Sequence, residues 1–170
     1  DGSVAAVFCK MLPYDGTPIK EMLMAQGRFN GDVCNPDYDF LDPRIARCYE
    51  AIGRTVGEWV RGSDCVAAMI NHAWHEVFVM ERLFEPAADL VAYKTALSAV
   101  TKFSNNILFS VVEEICDGFR EGGGECQQYS GLGQIREQIL ATLVQQRNRF
   151  VYENQSWLLK GILKQTLVTA

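Results

Sequence analysis

From Asp42 to Glu85 apolar residues return every three or four positions, interrupted only by Gly62-Ser63-Asp64. That period turns one face of a helix toward a core; a half-buried strand needs a period of two. Asp42-Pro43 marks the start. The short Asp side chain accepts from unpaired N–H groups, and Pro sits where no N–H is needed. Ile45, Cys48, Tyr49, Ile52, Val56, Trp59 and Val60 then fall on one stripe. Gly62 ends this helix and Ser63-Asp64 opens the next, which runs to about Glu85, before Pro86. Its stripe is Val66, Met69, Ile70, Ala73, Trp74, Val77, Met80 and Phe84.

The same reasoning extends in both directions. Thr17-Pro18 predicts a short helix, "PIKEMLMAQ", closed by Gly27. The stretch between, "RFNGDVCNPDYDFLD", is dense in Asn, Asp, Gly and Pro and reads as an ordered loop pinned by Cys34. Residues 87–119 carry Leu90, Tyr93, Leu97, Val100, Ile107, Val111 and Ile115 at helical spacing. Weak helix formers at Ser104-Asn105-Asn106 interrupt that pattern, so the segment is one long helix with a local bend or two joined helices. "EGGGECQQYSGLG" is a loop. A last helix follows Gly133, carries Ile135, Ile139, Leu143, Phe150, Trp157 and Ile162, and runs near the C-terminus. No strand pattern, repeat or linker competes. The expectation is one all-α domain over 1–170: a disulfide-stapled bundle of four main helices, a short N-terminal helix and irregular N-terminal loops.

The staples are inferred from Cys9, Cys34, Cys48, Cys65, Cys116 and Cys126. They are even in number and scattered, whereas zinc sites favour close Cys/His pairs. Three disulfides in one of fifteen connectivities follow, and with them an extracellular, secreted setting. Asn154-Gln155-Ser156 is a glycosylation sequon and adds weakly to that expectation. The chain begins Asp1-Gly2-Ser3 rather than with Met, as a processed or trimmed chain does. The spacing lacks the close CxxxC pair of six-cysteine insect odorant-binding proteins.

Charge narrows the partners. A net charge of −5, with no block of Lys or Arg, argues against nucleic acid and against attachment to anionic lipid. No stretch approaches the ~18 apolar residues of a membrane span. Arg47, Arg54 and Arg61 recur every seven residues but are interleaved with Glu50 and Glu58, a salt-bridged solvent face. Glu113, Glu114, Asp117, Glu121 and Glu125 read as a second solvated face.

Candidate chemistry is thin. "NHAWHEVF" holds both histidines, and His72, His75 and Glu76 share a broad helix face. The order is H-x-x-H-E, neither the metalloprotease H-E-x-x-H nor its inverted form. Both histidines point away from the apolar stripe, so they are expected in water rather than on a metal. A loop calcium site would use Asp37 and Asp39 among the oxygens of residues 32–42, but the EF-hand's glycine and terminal glutamate are missing. Cys65 and His72 lie about 10 Å apart along a helix axis, too far for a thiolate–imidazole pair. Phe78, Val79, Phe103 and Phe109 fall partly off the stripes, which suits burial against other helices, another subunit or a ligand. The tail "WLLKGILKQTLVTA" is amphipathic and is expected to pack in the bundle or an oligomer.

These readings converge on a secreted, non-catalytic helical protein, without a cofactor. It binds a macromolecular partner or assembles with like subunits through apolar helix faces. The alternatives are an extracellular carrier of a small apolar ligand, lipid or pigment, in the bundle interior, and a metal-dependent hydrolase.

Overall fold

The computed structural model describes residues 2–84, 88–121 and 129–168. Within them the chain is all-α, with six helices: α1 (Pro18–Ala25), α2 (Pro43–Val60), α3 (Val66–Leu83), α4 (Ala88–Arg120), α5 (Leu132–Glu153) and α6 (Gln155–Val168). The only β pairing described is an isolated bridge between Phe29 and Tyr38. Contacts group the chain into two compact units, where the sequence offered no boundary. The first comprises Asp1–Val7, Val56–Val111 and Gln128–Ala170; the second comprises Phe8–Thr55 and Val112–Gln127. Helices α2 and α4 contribute residues to both.

The helix starts follow local chemistry. Asp42 Oδ1 accepts from the Arg44 N–H at 2.8 Å, capping α2 behind Pro43. The start of α3 is one step later than its Ser-Asp signal: Cys65 is the cap, and its Sγ accepts from the Ala68 N–H at 3.3 Å. Gly27 closes α1 with φ +65°, a left-handed conformation that costs glycine little. Residues 88–120 form one continuous helix, about 50 Å long at 1.5 Å per residue. The final helical segment is divided. Asn154 leaves helical geometry, and both its backbone N–H and its side-chain Nδ2 donate to the Phe150 carbonyl, ending α5 before α6 begins.

The first unit holds most of the core. Val66, Ala67, Ile70, Ala73, Val77 and Met80 of α3 are buried, as are Leu90, Tyr93, Leu97, Leu108 and Val111 of α4 and Ile139, Leu143 and Phe150 of α5. Trp74 pairs with Thr101, and farther along α3, Glu81 pairs with Lys94, which is earlier on α4. The reversed order makes α3 and α4 antiparallel. Weak helix formers in mid-α4 are retained by tertiary bonds. Buried Thr101 accepts from Trp74 Nε1 at 3.2 Å and buried Ser104 from Trp59 Nε1 at 3.0 Å. Asn105 binds the N-terminal segment twice: Nδ2 donates to the Val4 carbonyl and Oδ1 accepts from the Ala6 N–H. An aromatic series, Phe84–Trp157–Phe150–Tyr93, joins the C-cap of α3 to α6, α5 and α4, and ends in a stacked pair with centroids 4.7 Å apart.

The second unit is built differently. Its buried apolar side chains among the described residues are Pro13, Leu23, Ala51, Val112 and Ile115. Ile45, expected on the buried stripe of α2, is half exposed here. Lysines on rings supplement that core. Lys20 is buried, pairs with Asp15 and lies 4.5 Å over the Phe29 ring. The loop expected at 28–42 is ordered as a hairpin-like turn. Asn30 and Gly31 N–H groups donate to the Asp37 carbonyl, and Asp32 Oδ1 accepts from Cys34 and Asn35. Gly31 is needed here by contact: a Cβ would stand 2.2 Å from the Asp37 nitrogen.

Among the described residues no two cysteine sulfurs are at bonding distance, so the staples expected from the sequence are not seen as bonds. Cys9 and Cys34 are exposed and Cys65 is buried. Cys48 and Cys116 hold their sulfurs 3.8 Å apart. Cys126 lies outside the described residues.

Candidate functional site

A cleft of about 880 Å³ belongs to the second unit. Three pieces of chain build it: the extended segment 9–14, the return arm 37–40 of the hairpin-like loop, and the first turns of α2. Residues 37–40 read Asp-Tyr-Asp-Phe. In an extended arm, alternate side chains share a face, which groups Tyr38 with Phe40. Their rings meet edge-on at 5.7 Å, and Phe40 meets Tyr49 of α2 at 5.7 Å.

Lys10 is the centre of this arrangement. Its backbone N–H donates to the Tyr49 hydroxyl at 3.0 Å. Its ammonium binds the Asp37 carboxylate and the Tyr38 carbonyl, and lies 4.4 Å from the Tyr38 centroid and 4.9 Å from that of Phe40. The Lys10 bond and the Tyr38 N–H hold the Asp37 carboxyl below its ordinary range, so it stays ionised. Asp39 and Glu50 add carboxylates to the lining, while Met11, Leu12 and Tyr14 offer exposed apolar surface. With Lys10 counted against Asp37, the lining is net acidic and aromatic. Lys10 already covers the Tyr38 and Phe40 rings, so what the lining leaves for recognition of a small cation with an apolar body is the Asp39 and Glu50 carboxylates beside Tyr14 and Tyr49.

A second feature, in the first unit, is an apolar groove of about 370 Å³ between α4 and the start of α5. Phe103, Ile107 and Val111 line one wall at i, i+4 and i+8, and Leu132 and Ile135 line the other. Phe103 is 54% exposed although it belongs to a well-packed helix. Phe78 and Phe109 are also about half exposed, and Arg82 lies over the Phe78 ring at 6.0 Å. On α6, Leu159, Ile162 and Leu163 share a face and are all exposed.

The residues singled out from sequence are dispersed. His72 and His75 are exposed on α3. Glu76 is turned to α5, where Arg147 Nε donates to both its oxygens at 3.0 and 2.8 Å. No group of three or more His, Cys, Asp or Glu able to hold a metal occurs among the described residues. Asp37 is engaged by Lys10, and the Asp39 backbone pairs with Arg28. Asn154 is 7% exposed, and its Nδ2 donates to the Phe150 carbonyl. Arg47, Arg54 and Arg61 are exposed, but Glu58 pairs with Arg136 of α5 rather than within their stripe. Glu113, Glu114, Asp117 and Glu121 are exposed, and Glu125 lies outside the described residues. No described helix is long and apolar enough to cross a membrane.

Sequence reasoning missed Lys10, Tyr38, Phe40 and Tyr49. The available signal was the alternation Asp-Tyr-Asp-Phe inside a loop, which groups two rings; nothing local pointed to Lys10. Comparisons of the chain with family models, curated proteins and solved structures find no match.

Proposed function

We propose that this chain is an exported, non-catalytic helical protein that works by binding. Its apolar helix faces meet a like subunit or another protein. The observation that carries the reading is the groove between α4 and α5, with Phe103 standing half exposed on its wall. Rows at i, i+4 and i+8 are the pattern by which one helix receives the apolar face of another. The exposed Leu159, Ile162 and Leu163 of α6 offer a face of the complementary kind. Export rests on the six cysteines and the setting in which such a set is oxidised. The sequon adds little, since its Asn154 is buried.

Light scattering over a dilution series, for the intact chain and for Phe103→Glu, tests the groove. A mass above one chain that falls to one chain in the variant supports assembly through it. A monomer whose binding of an apolar reporter dye is unchanged by Phe103→Glu overturns the reading.

A second reading, carriage of a small ligand, is favoured by the cleft around Lys10. Its support is the Asp39 and Glu50 carboxylates beside the Tyr14 and Tyr49 rings, which fit a small amine or quaternary ammonium with an apolar body better than a neutral lipid. Calorimetric titration with benzyltrimethylammonium tests it. Heat of binding that is lost in Tyr49→Ala supports carriage, and no heat at millimolar ligand removes it.

A further inference from the structure

We propose that Cys48 and Cys116 are a disulfide pair that joins the two chain segments of the second unit. Cys48 is on α2, in the segment 8–55, and Cys116 is on α4, in the segment 112–127. Their sulfurs are 3.8 Å apart and partly buried. A disulfide needs them about 2 Å closer. The other described cysteines are placed otherwise. Cys9 and Cys34 are exposed, Cys34 in the turn at the end of the hairpin-like loop, and Cys65 is buried as the cap of α3 with its sulfur on the Ala68 N–H. Fixing this pair reduces fifteen connectivities to three.

The unit has a physical need for such a bond. Few apolar side chains among its described residues are buried, while Met11, Leu12, Tyr14, Met22 and Ile45 stay exposed. Small units with thin cores are commonly stabilised by covalent links. A bond between residues 68 positions apart also closes a long loop, the case in which restriction of the unfolded chain is greatest.

Formation is a two-electron oxidation by thiol–disulfide exchange. One cysteine thiolate attacks a sulfur of a small-molecule disulfide such as oxidised glutathione; the glutathione S–S bond breaks and one thiolate leaves. The second cysteine thiolate then attacks the mixed disulfide, forms the Cys48–Cys116 bond and releases the second glutathione. The two cysteine protons pass to solvent or to the released thiolates. One disulfide is thus consumed and one is formed.

The pairing deepens the export reading and rests on it only for occurrence in the natural protein. The test uses the full chain refolded in a glutathione redox buffer, alkylated, and digested without reduction. A linked peptide pair containing Cys48 and Cys116, lighter by two hydrogens than the separate peptides, is expected. Reduction should lower the urea midpoint of the intact chain, and Cys116→Ser should show no part of that loss attributable to this bond. Recovery of Cys48 joined to a different cysteine overturns the proposal, as does alkylation of both residues in oxidised, helical protein. The mapping needs no variant to fold. A thiol count on protein from its natural source addresses export separately, so either idea can fail alone.

Discussion

Tyr93 shows how a single buried group sets a pH limit. It is 4% exposed, its hydroxyl has no hydrogen-bond partner among the described residues, and its ring stacks on Phe150. Burial, with the Glu76 carboxylate nearby, pushes its pKa up to about 12. The unfolded phenol ionises at about 10. A raised folded value means that the stabilisation is complete below about pH 10 and is lost as pH climbs toward 12. Tyr93→Phe removes an unsatisfied hydroxyl and keeps the stacking, so stability at neutral pH should hold or rise slightly. Urea midpoints at pH 7 and above pH 10 check both statements; in the variant the alkaline loss should shrink. Lys10 and Asp37 set the opposite limit. The Asp37 carboxyl is held low by the Lys10 ammonium, so their contribution is present above the ordinary Asp value and is lost as pH falls below it. In Lys10→Met, carboxyl NMR should find the Asp37 titration moved up toward the ordinary value.

At the scale of elements, legibility followed from whether local chemistry and packing agreed. Asp42-Pro43, Gly27, the α3 stripe and the exposure of His72 and His75 were readable because each depends on neighbours within a turn or two. The division at Asn154 was not, because an isolated Asn is tolerated in helices and only its bond to Phe150 reveals the break. The middle of α4 was ambiguous for a related reason. Ser104 and Asn105 weaken a helix locally, and the bonds that reward them come from Trp59 and from residues 4–6, distant in sequence. The cleft was hidden for the same cause, since Lys10 meets rings 28 or more positions away. Ser104→Ala should therefore destabilise by ~1–3 kcal/mol despite alanine's better helix propensity, because the Trp59 N–H is left buried without an acceptor. Combining it with Trp59→Phe should restore part of the loss; thermal unfolding of the two single variants and the double variant measures this coupling.

The whole molecule combines a first unit with an aliphatic and aromatic core and a second unit that relies on lysine–ring contacts. Phe103 stands half exposed on the wall of an apolar groove, and apolar surface of that kind supports a binding role. Composition left the occupant of the groove open, because a helix groove is recognised by shape and apolar area rather than by charge. For the second unit, a bond across 68 positions would contribute about 4 kcal/mol on the chain-entropy account, a large share of a typical domain's stability. Protein held reduced should accordingly lose order around α1 and the 28–42 loop before the α3–α5 core, which hydrogen exchange can follow residue by residue.

The claim on which export and covalent stabilisation both depend is that the cysteines are oxidised in the native protein. Titration of reactive thiols in unfolded, never-reduced protein from its natural source measures this directly. Oxidised cysteines leave essentially no reactive thiol per chain, and six reactive thiols per chain would contradict both export and the Cys48–Cys116 bond in the native protein.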